Sequence, residues 1–375
     1  MMSRIAKNVR TNRMYFVYVL NIISCFAVVL LHTTLPVYSP QHTGVWVKMV
    51  GLQSVAIFAV PVFFMISGMN LLGYRQREST LKFLKKRFFK VGRALVLASL
   101  FCYIIFCTFP NCFYNAGQYA ETRGLTDFFI RFLTNQINDV YWFLYSIIYL
   151  YILAPILSLV VKNRRCVEYM LVFCGLISVG LPLLRRLGVP SEYMNTLFAW
   201  PLFSFTSLLY FLAGYYLHVY WKPLKHQKVI AGIAYLLSTG GMFVLGLWSN
   251  GYKKPDGLSA TYDSYYVGTS SPLCVVQAFA IFLLLQSCES NLQQCNDIIS
   301  RALQKVASAS LGVYLFHILL INWAGVNIDP EIMQNVSGHP FLYAVIVYGL
   351  TLICVLVGKS VIAKFSSTRM RIEKQ

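Results

Sequence analysis

Ten apolar stretches, each of a length to cross a bilayer and separated by short polar loops, constrain this chain more than any other feature. A hydrocarbon core about 30 Å thick takes ~20 helical residues at about 1.5 Å rise each. The stretches lie at residues 14–35, 51–73, 91–110, 141–161, 167–184, 201–220, 229–248, 270–286, 307–324 and 341–362. They predict an all-α fold, a polytopic membrane helix bundle of about ten transmembrane helices. Residues 1–365 are expected to form a single transmembrane domain, and residues 366–375 a short basic cytoplasmic tail. Any chemistry must then come from the helices and their loops.

A chain that is 57% hydrophobic and 12% charged departs from globular composition, where charged residues make up roughly a quarter. The basic start (Arg4, Lys7, Arg10, Arg13) before an apolar run imitates a secretory signal. That run is span-length and no small-residue cleavage site follows, so it is read as a retained first span. A net charge of +19 raises the question of nucleic acid, and the location of the basic residues answers it. With the N-terminus inside, 24 of the 32 fall in cytoplasmic segments, 7 in outer loops, and Lys359 within the last span. This is the positive-inside pattern, which places both termini in the cytoplasm of a multi-pass plasma-membrane protein and argues against a nucleic-acid partner. The basic inner loops also suit anionic membrane lipid.

Six of the ten cysteines (Cys25, Cys102, Cys107, Cys174, Cys274, Cys354) lie inside apolar stretches with no recurring pair spacing, which does not read as a disulfide framework. No His, Cys and carboxylate set has metal-ligand spacing, so no metal is expected, and no Ser nucleophile elbow is present. All thirteen carboxylates fall outside the stretches or at their ends. Carboxylate-coupled transport, which usually places an acid near the midplane, is disfavoured.

The most informative ionisable group in the stretches is His32, near the outer end of the first. A desolvated imidazole favours its neutral form and can accept a proton, as a general base must. Asn21, eleven residues earlier and close to three helical turns away, faces the same way about 16 Å deeper. Ser67 in the second stretch adds a hydroxyl to this polar line if the first two helices pack together. His317 in the ninth stretch is the other histidine placed to order substrate. Small polar groups and histidines also act as packing glue between helices, and position alone does not separate the two roles. Eight basic residues lie between residues 74 and 93, where Arg87, Lys90 and, less closely, Arg93 recur on one face leading into the third stretch. Cations at a bundle mouth suit a phosphate-rich cytosolic ligand, either a coenzyme A thioester or a nucleotide, although no P-loop or dinucleotide fingerprint accompanies them. Five of six tryptophans (Trp46, Trp142, Trp200, Trp248, Trp323) lie near outer ends, as an interfacial belt or a sugar-stacking surface would require.

Several stretches in order resemble the bacterial acyltransferase family 3, integral membrane enzymes that acylate cell-envelope glycans and related acceptors. Residues 20–32, ending in His32, resemble the opening helix with its catalytic histidine. Phe-Phe-Met-Ile-Ser-Gly (63–68) is similar to the second-span signature, and Lys-Lys-Arg-Phe-Phe-Lys (85–90) to the basic entry to the third span. Tyr-Trp-Phe-Leu (141–144) with Tyr149 and Pro155, Tyr-Phe-Leu-Ala-Gly-Tyr-Tyr (210–216) and Ser-Leu-Gly-Val-Tyr-Leu-Phe-His (310–317) are similar to later features. Two positions depart from the pattern: Asn21 stands where the family commonly has a basic residue, and Lys90 replaces the second arginine of the basic pair. The resemblance implies a membrane O-acyltransferase with no bound cofactor. It would take an acyl group, acetyl by first expectation, from cytosolic acyl-CoA to a hydroxyl of a surface glycan or its lipid-linked precursor. His32 would be the base or, as the lesser alternative, a transient acyl carrier; Arg87, Lys90 and Arg93 would bind the donor, and Asn21, Ser67 and His317 would support them. Some members append a soluble hydrolase-like domain that is not seen here, so transfer would be completed by the membrane part alone or with a glycan-assembly partner protein. An exporter or flippase of a polysaccharide or lipid-linked intermediate is the alternative for a chain of this shape.

Overall fold

A computed structural model describes residues 14–188, 206–252 and 257–372. Ten helices stand where the apolar stretches lie: α1 (Tyr15–Thr33), α2 (Gly44–Gln76), α3 (Thr80–Thr108), α4 (Asp139–Val160), α5 (Arg164–Arg186), α6 (Thr206–Val219), α7 (Gln227–Ser249), α8 (Pro272–Ser287), α9 (Asp297–Asn327) and α10 (Pro340–Ile372). Among the described residues, eight are long and apolar enough to cross a membrane; α8 is apolar but has 16 residues. The span expected at 201–220 lies partly outside the described residues, which retain its 14-residue α6.

Two boundaries differ from the hydropathy reading. Helix α2 begins at Gly44 rather than 51, because the Thr43 hydroxyl accepts a hydrogen bond from the Trp46 amide (3.2 Å) and caps it. It breaks between Ala56 and Ala59, where Pro61 supplies no amide proton and its ring crowds the carbonyl one turn back. Helix α3 begins at Thr80 rather than 91, since the basic segment is a continuous extension of the apolar part. A π turn at Phe88–Gly92 joins the two.

Helix α1 sits at the centre, packed on α2, α8, α9 and α10. Its Leu20 and Val29 are fully buried. The first amides of a helix lack intrahelical acceptors, and here the Glu289 carboxylate accepts from the Tyr15 and Phe16 amides (3.0 and 2.7 Å). At the outer end, the Gln53 side-chain amide donates to the Leu31 carbonyl (2.9 Å) and the Thr34 hydroxyl (2.8 Å), locking α2 to the turn that carries His32. Between α2 and α6, Gly68 lies against the Phe211 carbonyl and Gly214 against the Met65 carbonyl, so closely that neither position has room for a Cβ. Without a solvent-driven force between helices in lipid, such backbone-to-backbone packing is a main source of association. Two of the sequence signatures, 63–68 and 210–216, are thus two halves of one contact.

The loop from α3 to α4 is folded rather than loose. Its helix Leu125–Leu133 carries Asp127, whose carboxylate accepts from Tyr103 (2.8 Å) and from Arg131 Nε (2.9 Å). Arg131 also donates to the Thr122 hydroxyl (2.9 Å) and lies over the Tyr119 ring (4.4 Å). Burial works against the Asp127 charge, but the hydrogen bonds from Tyr103 and Arg131 outweigh it and hold the carboxyl below its ordinary value.

Two outcomes follow from this packing. Gly214→Ala should cost about 2 kcal/mol or more and lower the thermal midpoint of the detergent-solubilised protein. Gly240→Ala, at a helical position with open space, should leave the midpoint equal or higher. For the outer loop, the depressed Asp127 value means that its contribution is present above the ordinary carboxylate range and lost as pH falls through the folded value. Limited proteolysis of the loop should therefore stay slow from neutral pH down into the ordinary carboxylate range and accelerate below it, whereas Asp127→Asn should be cut quickly at every pH.

Candidate active site

The structure brings the two membrane histidines together. His32, half-buried near the outer end of α1, and His317, fully buried in α9, have ring centroids 5.0 Å apart. The Nδ1 of His317 lies 2.8 Å from the Tyr314 carbonyl and 3.1 Å from the Val313 carbonyl. Carbonyl oxygens only accept, so this nitrogen carries the proton, and in the neutral ring Nε2 holds a lone pair. That Nε2 faces His32 Nδ1 at 3.2 Å, and His32 Nδ1 lies 2.8 Å from the Val28 carbonyl. Both of its neighbours are acceptors, so Nδ1 of His32 is the protonated nitrogen and its Nε2 is free to take a proton. Backbone carbonyls of α1 and α9 thus set both tautomers without a carboxylate in hydrogen-bonding contact with either ring among the described residues.

Two tyrosines hold this pair in place. The Tyr141 hydroxyl donates to the Leu315 carbonyl (2.9 Å), and the Tyr314 hydroxyl donates to the Val140 carbonyl. The start of α4 and the histidine turn of α9 are therefore clasped reciprocally. This gives a physical reason for the 141–144 and 310–317 signatures to occur together. Asp139, at the first position of α4, is near enough for its charge to act on His32.

Beneath the pair lies a cavity of about 610 Å³. Tyr18, Asn21, Ser67, Lys90, Tyr151, Gln304, Ser308, Ser310 and Tyr314 supply its polar lining, and none of its lining residues is a carboxylate. Asn21 donates its side-chain amide to the Val17 carbonyl (2.8 Å). Tyr314 joins the cavity to the histidines, its ring centroid 6.1 Å from that of His317. Three of the expected residues, Asn21, Ser67 and Lys90, thus share one space.

Arg87 and Arg93 do not line it. The guanidinium of Arg87 lies over the Phe83 ring (5.7 Å), its buried Nε has no hydrogen-bond partner among the described residues, and its charge reaches Tyr151 on the cavity wall. Arg93 is exposed. The π turn at Phe88–Gly92 accounts for this: it resets the helical phase inside the basic segment, so a three-residue spacing no longer keeps to one face. A second hollow of about 650 Å³, lined by residues such as Leu52, Val55, Phe243 and Phe341, is apolar and holds none of the site residues.

Sequence reading missed Tyr141, Tyr314 and Asp139. Their roles depend on contacts between helices far apart in the chain, and the only signal was the presence of both tyrosines inside the 141–144 and 310–317 signatures.

An all-helical membrane bundle with an internal histidine pair above a cation-bearing cavity is the class of molecule on view. The family model described as an acyltransferase domain matches residues 14–358, and the chain belongs to acyltransferase family 3. It is a multi-pass membrane acyltransferase. No curated protein and no solved structure matches the chain.

The pairing predicts how each histidine responds to substitution. His32→Ala should abolish acyl transfer. His317→Leu, which removes the acceptor that orients His32, should lower kcat by about a hundredfold with little change in donor KM. His317→Gln, whose amide oxygen can accept the same hydrogen bond, should recover part of that loss. Steady-state kinetics on purified variants of equal stability check this.

Proposed function

We propose that the protein is an O-acyltransferase, acetyl being the expected group, that takes its donor as acyl-CoA from the cytosol and acylates a hydroxyl of a surface glycan or its lipid-linked precursor in a bacterial plasma membrane. The bias of basic residues toward alternate loops supports a topology with both termini in the cytoplasm. One observation carries this reading: a single cavity joins Lys90, at the basic entry to α3, to Tyr314 beneath the histidine pair. The CoA phosphates sit against Lys90, with Arg87 behind the wall, and the thioester arm runs past Asn21 and Ser67 toward His32. Lysine serves here as a point charge for phosphate rather than a bidentate fork.

In this mechanism the acceptor hydroxyl gives its proton to His32 Nε2 as its oxygen attacks the thioester carbonyl. The tetrahedral intermediate collapses by breaking the carbon–sulfur bond. The CoA thiolate then takes the proton from His32, leaving an ester, free CoA thiol and a neutral imidazole. While His32 is transiently charged, its Nδ1–H is held by the Val28 carbonyl and His317 Nε2, and the nearby Asp139 carboxylate offsets the charge. No acyl-enzyme is required, because donor and acceptor approach the same histidine from the two sides of the membrane.

Mass spectrometry of ester-linked acyl groups on surface glycan tests the reading in a deletion strain complemented at equal membrane expression. Acyl content should vanish on deletion, return with the wild type and stay absent with His32→Ala. A fall in total glycan with unchanged acylation per repeat would instead favour an exporter.

A further inference from the structure

Lys359 stands out among the basic residues by its position inside an apolar stretch. It lies within α10, and in lipid a lysine near a helix end ordinarily snorkels its ammonium toward headgroups and water. This one, though exposed, turns toward the neighbouring helix: Nζ donates to the Ser308 carbonyl (2.8 Å) and to the Ser308 hydroxyl (2.9 Å) on α9. Ser308 is part of the wall of the 610 Å³ cavity.

The approach is built by close packing. Gly312, one turn beyond Ser308, has no room for a Cβ because Val355 Cγ1 would lie 2.6 Å from it. Val355 is one turn before Lys359. The glycine lets α10 press against α9, and this contact puts the lysine within reach of Ser308. An ammonium has three donors, and two are used. Among the described residues no carboxylate pairs with Lys359, and the cavity lining contains none.

We infer that Lys359 is a phosphate-binding residue of the donor site, reaching the cavity at Ser308 on its α9 wall, so that the CoA phosphates are held by two lysines on different helices. This rests on the acyl-CoA reading above. The chemistry that fits is an anionic phosphate, which both CoA and an anionic lipid headgroup carry; CoA is the ligand assigned, because Ser308 belongs to the cavity that holds Lys90.

The test uses the full-length protein in nanodiscs of zwitterionic lipid. CoA affinity is measured by calorimetry for wild type, Lys359→Arg and Lys359→Gln, and amine-reactive labelling of Lys359 and Lys90 is followed by mass spectrometry with and without CoA. Loss of one charge-assisted phosphate contact should weaken CoA binding about tenfold or more in Lys359→Gln, with Lys359→Arg close to wild type. CoA should slow labelling of both lysines in the wild type, a readout that stands even if the glutamine variant fails to fold. Unchanged affinity in a folded Lys359→Gln, or protection of Lys90 without Lys359, overturns the inference and leaves the donor reading intact. Absence of CoA binding to the wild type overturns both. Protection of Lys359 by anionic lipid alone, with none added by CoA, assigns it to a headgroup and overturns the inference.

Discussion

The hydrogen bond between His32 and His317 is the interaction on which the rest of the site depends. Its direction is decided by main-chain carbonyls that an α-helix leaves available to a side chain one turn later. His317 binds the carbonyls of Val313 and Tyr314, and His32 binds that of Val28. Once those acceptors take the Nδ1 protons, the remaining lone pairs have fixed addresses: that of His317 faces the partner ring, and that of His32 Nε2 stays open to accept a proton. A carboxylate partner would do the same job with a full charge that is costly to desolvate in a bilayer, whereas a second neutral imidazole adds no net charge.

A bond of this kind needs helices held to fractions of an ångström, and the bundle achieves this with small residues and backbone acceptors. Gly68 and Gly214 draw α2 and α6 together, and Gly312 draws α10 onto α9. Gln53 and the tyrosine clasp of Tyr141 and Tyr314 then fix the outer ends around the histidines. The same devices that replace hydrophobic burial in lipid therefore set the geometry of the chemistry. The cation arrangement follows as well, since Lys359 reaches the cavity wall only because Gly312 permits the approach.

Much of the fold was legible in the chain because lipid imposes a simple rule: apolar runs of span length become helices. The departures arose where local chemistry overrides hydropathy, at the Thr43 cap, the Pro61 break and the basic extension of α3. Around the cavity, Asn21 was readable by helical phase and Ser67 by the packing of the first two helices, while Lys90 lines it without Arg87, the residue expected to share its face. Arg93 was not, since a π turn shifts that phase. The relation between His32 and His317 could not be read from spacing, because the residues are far apart in sequence and nothing local marks them as neighbours. Lys359 was visible as a charge in an apolar stretch, yet its direction depends on a glycine in another helix.

Nitrogen-15 NMR of histidine-labelled protein in lipid tests the central claim most directly, with signals assigned by their loss in His32 and His317 variants. At neutral pH both rings should appear as the Nδ1–H tautomer, and His317→Leu should release His32 into a mixture of tautomers. A His32 ring protonated at Nε2 in the wild type, or one indifferent to His317, would contradict the account.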